Sequence, residues 1–103
     1  MLLIDAHCHL ERSDYEASSV IARARAAGLV HAVIVGQLQR SGTFGDALAV
    51  AAEHPDFLTP TMGIHPHDAA QANEAKLAEL EAICSRAEVA AVGEAGLDYY
   101  YDH

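Results

Sequence analysis

The sequence has 103 residues, the size of one ordinary domain, and 51% of them are apolar, enough to bury a core, which excludes a disordered chain. Fifteen acidic residues against six basic ones give a formal charge of −9, which repels polyphosphates and anionic membranes at long range and excludes a general nucleic-acid-coating role. Cys8 and Cys84 stand far apart without C-x-x-C spacing, "MLLIDAHCHL" lacks the basic start of a signal peptide, and no apolar run approaches the roughly 20 residues of a bilayer span, so the expectation is a soluble cytoplasmic protein with two free thiols.

In chain order, the first apolar run, Leu2 to Ala6, reads as a strand. A helical pattern rich in alanine follows from about Asp14 to Ala27 and ends at Gly28, a residue that closes helices because it accepts the left-handed conformation. Val30 to Val35 reads as a second strand, and a second helix runs from about Phe44 to Glu53, between "SGTFG" and Pro55. Leu58 to Gly63 is the third strand. The third helix, about Glu74 to Ala87, carries Leu77, Leu80, Ile83, Cys84 and Ala87 on one stripe. Val89 to Gly93 is the fourth strand.

Strands that alternate with crossover helices pair in parallel with right-handed connections, and a parallel sheet is covered by helices. The fold class is therefore α/β, and the pattern fits either a doubly wound sheet or the start of a (β/α)8 barrel. No G-x-G-x-x-G or P-loop follows the first strand, which leaves a nucleotide-cofactor reading without support. His7, His9, His65, His67 and Glu94 all fall at or just beyond the C-terminal ends of their strands, the face on which both architectures build their sites.

Alternation along a strand puts Asp5, His7 and His9 on one face and Ala6 and Cys8 on the other. Two imidazoles on one face can grip a cation, or can be satisfied by hydrogen bonds alone. Cys8 reads as a small buried hydrophobe. Asp5 is either an acceptor behind a ligating imidazole or a cap at the strand end. In "MGIHPHDA", Pro66 favours an extended His65 and an ordered turn leaving the strand; His65 and His67 are candidates for substrate contact, while His67 and Asp68 can equally cap the loop. In "VAAVGEAGLDYYYD", Glu94 follows small apolar residues, where an ionised carboxylate is costly to desolvate without a partner such as a cation; a solvated loop glutamate is the equal alternative. Asp98 reads as structural; Tyr99 to Tyr101 can wall the site or stack on a base, and core packing is expected of at least one of them.

The order "IDAHCH", "GIHPHDA", "VGEAGLDYYY" resembles the TatD-like metal-dependent deoxyribonucleases of the amidohydrolase-like hydrolases, from the first strand to the last residue. The resemblance implies a (β/α)8 barrel that binds two divalent cations, magnesium, manganese or zinc. It implies His7, His9 and Glu94 as metal ligands, Glu94 as the catalytic carboxylate bridging both ions, and His65 in the substrate pocket. The implied reaction is hydrolysis of DNA phosphodiesters, in which the cations polarise phosphoryl oxygens and acidify a water.

A full barrel takes on the order of 250 residues. Residues 1–103 are accordingly expected to form the N-terminal half of such a hydrolase, apparently truncated after the fourth strand, with the remaining ligands, two histidines and an aspartate, on later strands and not replaced by His103. From this follows an expectation of weak metal binding and little turnover by the 103 residues alone. Two other readings stand beside the nuclease: a catalytically incompetent barrel fragment, whose exposed strand edge pairs with a second copy or with a missing C-terminal half, and a metal-dependent hydrolase of other esters or amides.

Overall fold

The computed structural model describes residues 1–101; His103 lies outside the described residues. Strands β1 (Leu3–Cys8), β2 (Leu29–Gln37) and β3 (Leu58–Gly63) form one parallel sheet in the order β1-β2-β3. Helix α1 (Ala17–Ala26) connects β1 to β2, α2 (Ala47–Glu53) connects β2 to β3, and α3 (Glu74–Cys84) follows β3 after a 3-10 turn at Pro66–Gln71. The expected α/β alternation with parallel pairing is therefore present in three units.

Local chemistry sets the helix ends. Helix α1 begins later than the alanine-rich pattern suggests because Glu16 caps it, its carboxylate accepting the backbone N–H groups of Ser18 and Ser19. It ends where expected, with Gly28 at φ +101° just past the last turn. Helix α3 is capped by Asn73, whose side chain accepts from the Lys76 N–H. Its apolar stripe is only partly used: Leu80 is buried, Ile83 and Cys84 are half-buried, and Leu77 is exposed.

The core lies on the face of the sheet that carries α1 and α2. Ala32 and Ile34 of β2 and Leu58 of β3 meet Ile21, Ala47, Val50, Ala51 and Phe57 there, with Cys8 packed at the margin. Gly36 lets α2 approach: a Cβ on it would stand 2.8 Å from both the Ala47 Cβ and the Met62 Cε. Alternation turns His31, Val33, Val35 and Gln37 of β2, and Thr59 and Thr61 of β3, to the opposite face, where His31 Nε2 and the Thr59 hydroxyl are 2.7 Å apart.

The fourth strand expected over Val89 to Gly93 forms only in part. Ala90 N–H donates to Pro60 O, Gly93 N–H donates to Met62 O, and Val92 makes an isolated parallel bridge with Met62. The segment is bonded along its β3 side and, among the described residues, has no strand on its other side to extend the ladder. With small residues and Gly93 in so short a run, β propensity alone does not hold it as a strand. Among the described residues no helix is long and apolar enough to cross a membrane.

Candidate metal centre

Strand β1 departs from the strict alternation the sequence predicts: its register shifts between Asp5 and Cys8, which stand opposite Ala32 and Ile34, both on the core face of β2. Cys8 faces the helices, and burial, reinforced by the nearby Asp5 charge, pushes its thiol up to about 11. His7 and His9 stand on the other side, with their Nε2 atoms 3.2 Å apart. Asp5 does not back an imidazole: its Oδ1 accepts the His7 backbone N–H at 3.0 Å, the cap alternative. The group behind the ligand is the Val35 carbonyl, 3.1 Å from His9 Nδ1. A carbonyl can only accept, so Nδ1 carries the proton and His9 Nε2 presents its lone pair toward His7.

Glu94 reaches the same point from the other end of the chain. Its backbone lies across the end of β3, held by Gly93 N–H on Met62 O and by the Thr61 hydroxyl on Gly93 O. Gly63 makes the crossing feasible, since a Cβ there would come within 2.5 Å of Glu94 O and Gly93 C. Neither Gly63 nor the Val35 carbonyl was visible as a site determinant in the sequence, because each acts through backbone geometry.

One Glu94 oxygen, Oε2, is 3.2 Å from His7 Nε2, and the other, Oε1, is 3.4 Å from His65 Nε2. His7, His9 and Glu94 each offer a ligand atom, all within 4.8 Å of one another. Two donors bound to one ion at about 2.1 Å and a tetrahedral angle stand about 3.4 Å apart, so these separations fit a shared cation after small adjustments. The donor chemistry fits too: His9 has a free lone pair, and the proton that His7 Nε2 shares with its neighbours is the one a cation would displace.

His65 is held differently. Its Nδ1 accepts the His67 backbone N–H at 3.0 Å, so the ring proton sits on Nε2 and points at Glu94. The His67 ring lies edge-on to that of His65 at 4.5 Å and reaches Asp98, Nε2 to Oδ2 at 2.6 Å, while Asp98 Oδ1 accepts the Tyr100 and Tyr101 N–H groups. These bonds, led by the Tyr100 N–H, hold the Asp98 carboxyl below its usual range. Tyr99, Tyr100 and Tyr101 are all exposed, contrary to the expectation that at least one packs in the core; Tyr101 instead sets its ring edge-on to His67 at 5.0 Å. A polar cleft of about 580 Å³ opens beside the cluster, lined by Glu11, Gln37, Gln39, Arg40, His65 and His67.

A family profile described as "TatD related DNase" matches residues 4–103. The chain is 47% identical over 81 residues to the 3'-5' ssDNA/RNA exonuclease TatD of Edwardsiella piscicida, covering 78% of this chain and 30% of that protein. It is 38% identical over 88 residues to the protein of the same name from Dickeya dadantii, covering 85% and 32% respectively. With the uncharacterized metal-dependent hydrolase YabD of Bacillus subtilis the identity is 37% over 103 residues, 98% of this chain and 39% of the relative. The chain thus spans about a third of the length of the curated relatives it matches, between 30% and 39% in these three.

Proposed function

The chain belongs to the TatD related DNase family, and from that premise we propose that it contributes the first β/α units of a barrel that hydrolyses phosphodiester bonds in single-stranded DNA with two divalent cations. The observation that carries this reading is the convergence of His7, His9 and Glu94, residues almost ninety positions apart in sequence, on one point with His65 against the same carboxylate. The names of the relatives add nucleic acid as the substrate class and metal as the cofactor class.

In this reading His7, His9 and Glu94 are metal ligands and His65 is a substrate-side residue. When bound, the cations supply Lewis-acid polarisation of phosphoryl oxygens and an acidified water. The chain's own residues do the rest. His9 is aimed by the Val35 carbonyl and needs no reorientation to bind. Glu94 has two oxygens facing different neighbours, the arrangement a bridging carboxylate needs. His65 donates from Nε2 and can pass that hydrogen bond from Glu94 to a phosphate oxygen. Gln37, Gln39 and Arg40 line the cleft through which a strand end would enter, where the Arg40 cation and bound metal ions offset the −9 charge of the chain.

The remaining ligands are proposed to lie on later strands of the barrel. Both sheet edges favour such a completion: Ile4 of β1 is 64% exposed and Val92 is 63% exposed, apolar side chains that a covering strand or helix would bury. The covering elements come from the same polypeptide or from a second copy, which sedimentation of the 103-residue chain distinguishes. A cytoplasmic location is part of the same proposal.

The test is to express the open reading frame that encodes this chain and incubate it with 3'-labelled single-stranded DNA, and separately RNA, in Mg2+ or Mn2+. Trimming from the labelled end is expected, abolished by EDTA and by Glu94→Ala. Cutting that survives EDTA, or cleavage of small esters or amides without any of DNA, would overturn the nuclease reading.

A further inference from the structure

Glu94 and Asp98 stand four positions apart after the Val89 to Gly93 segment, and Glu94 faces the histidine cluster. Asp98 instead closes a second circuit. Its two oxygens are divided between the chain and a side chain: Oδ1 accepts the Tyr100 N–H at 2.9 Å and the Tyr101 N–H at 3.3 Å, and Oδ2 takes His67 Nε2 at 2.6 Å. A carboxylate accepting from backbone N–H groups is ionised, and the bond to His67 is then charge-assisted, among the stronger kinds available on a surface. Tyr101 lies edge-on to the other side of that imidazole. Residues 95 to 101 are otherwise exposed and carry no regular secondary structure, so this tie is a principal restraint on where they sit.

The same imidazole belongs to the residue whose backbone N–H fixes His65. His67 N–H reaches His65 Nδ1 only because the turn after Pro66 folds back, and the interaction selects one tautomer of His65, protonated on Nε2 and directed at Glu94 Oε1. Pro66 also lies near the second loop, since a Cβ on Gly96 would stand 3.3 Å from the Pro66 Cβ. The turn at Pro66–Gln71 and the segment after Glu94 are therefore clasped to each other by His67 and Asp98, with Gly96 lying near Pro66.

We infer that His67 and Asp98 form a clasp that positions the site: by fixing the turn after β3 against the segment after Glu94, it holds His65 in its Nε2–H tautomer and so aims Glu94 Oε2 at His7 and His9. His67 bears on the site through His65, by its backbone N–H and by rings 4.5 Å apart, and Asp98 bears on it through His67, so both are positioning residues. The role in aiming a metal ligand rests on the proposed function; the tautomer of His65 does not, and the experiment uses that separation.

Asp98→Asn keeps the size of the side chain and an acceptor for the tyrosine N–H groups but places a neutral amide against His67. His67→Ala removes the ring while leaving the backbone N–H that His65 needs. Long-range proton–nitrogen NMR of the 15N-labelled chain, above the histidine titration range, reads the state of each His65 nitrogen, and titration with Mn2+ reads affinity. In the wild type, His65 is expected as a single Nε2–H tautomer. In both variants its nitrogens are expected to move toward an exchanging mixture, and the Mn2+ dissociation constant to rise about tenfold, at the lower end of what losing an outer-sphere partner costs, with the thermal melt preserved. Unchanged His65 nitrogens in Asp98→Asn and His67→Ala would overturn the clasp. A wild type that binds no Mn2+ would overturn the metal reading while the nitrogen shifts still decide on the clasp.

Discussion

The two faces of this sheet are built from alternate residues of the same strands, yet they obey different rules. On the helix side, Ile34, Ala47 and Val50 are fully buried and Phe57 nearly so, and each is held by packing against many neighbours. On the opposite side, His7 keeps 51% of its side chain exposed, and its position is set by a few hydrogen bonds to residues that arrive from loops. Stability is concentrated on one face and chemistry on the other. A substitution should therefore move one property far more than the other, and the sharpest tests are those that try to make both move together.

The largest effect is expected from Phe57→Ala. Phe57 fills the floor of the core, with the Arg25 guanidinium 4.8 Å above its ring. Truncating a buried aromatic costs about 3–5 kcal/mol, a large part of the stability of a domain this size. Thermal melting followed by circular dichroism should show a steep fall, and Mn2+ binding should fall only in proportion to the unfolded fraction. Full metal affinity per folded molecule is the expected outcome; a specific loss beyond it would mean that the two faces are coupled.

Glu94→Gln tests the converse. It preserves shape and removes the charge from the one carboxylate in the cluster, so Mn2+ affinity should fall by about 100-fold or more, beyond the usual cost of losing an outer-sphere partner. Glu94 lies in a segment outside the core, so the melting temperature should stay near the wild-type value. A large drop in melting temperature alongside the lost affinity would show that this carboxylate supports the fold.

How much of this was legible in the sequence follows the same division. The core could be read, because periodicity states it directly: Leu58 to Gly63 is a strand with the expected limits, and Gly28 ends α1 with a positive φ. The identities of His7, His9, His65 and Glu94 as candidates were also readable, since each falls at or just beyond the end of an expected strand. Their mutual geometry was not. It depends on an approach between β3 and the segment after it that no spacing rule describes, and on acceptors such as Val35 O that any residue type supplies. The fourth strand was overread for a related reason: an apolar run reports the tendency to be covered, while this short run of small residues ending at Gly93 bonds to β3 at only a few points. The tyrosines failed in the opposite direction, because aromatic character predicts burial only where a core surrounds it.

Gly63→Ala probes the seam between the two faces. Gly63 is buried at the end of β3, and its missing Cβ is the space occupied by the Gly93–Glu94 backbone, with 2.5 Å separating the two positions. Backbone cannot yield as a side chain tip does, so the segment must move as a unit. An overpacking cost of about 1–3 kcal/mol is expected, borne by displacement of Glu94. Mn2+ affinity should fall severalfold, while urea unfolding of the sheet shifts less than for Phe57→Ala. An unchanged affinity would mean that the carboxylate reaches the histidines by a route independent of β3.

The smallest effect belongs to a residue that serves neither the core nor the cluster. Glu16 is fully exposed and caps α1, and its carboxyl lies below its ordinary value of 4.5, chiefly because the Ser19 N–H bonds to the charged form, with the Ser18 bonds adding to it and partial desolvation opposing. A group whose folded-state pKa is depressed stabilises the fold fully above its unfolded pKa and loses that contribution as pH falls through the folded value. The dependence should therefore appear only in acid, below pH 4.5, and vanish toward neutrality. In Glu16→Gln an amide oxygen still accepts at the cap, but there is no proton to gain. The variant should start slightly less stable at neutral pH and converge with the wild type as acid neutralises the native carboxylate, as followed by urea midpoints across the acid range. Convergence would place this electrostatic contribution wholly in the helix cap, remote from both faces of the sheet. Curves that stay parallel through acid would show that the carboxylate's charge contributes nothing there, leaving the cap to hydrogen-bond geometry alone.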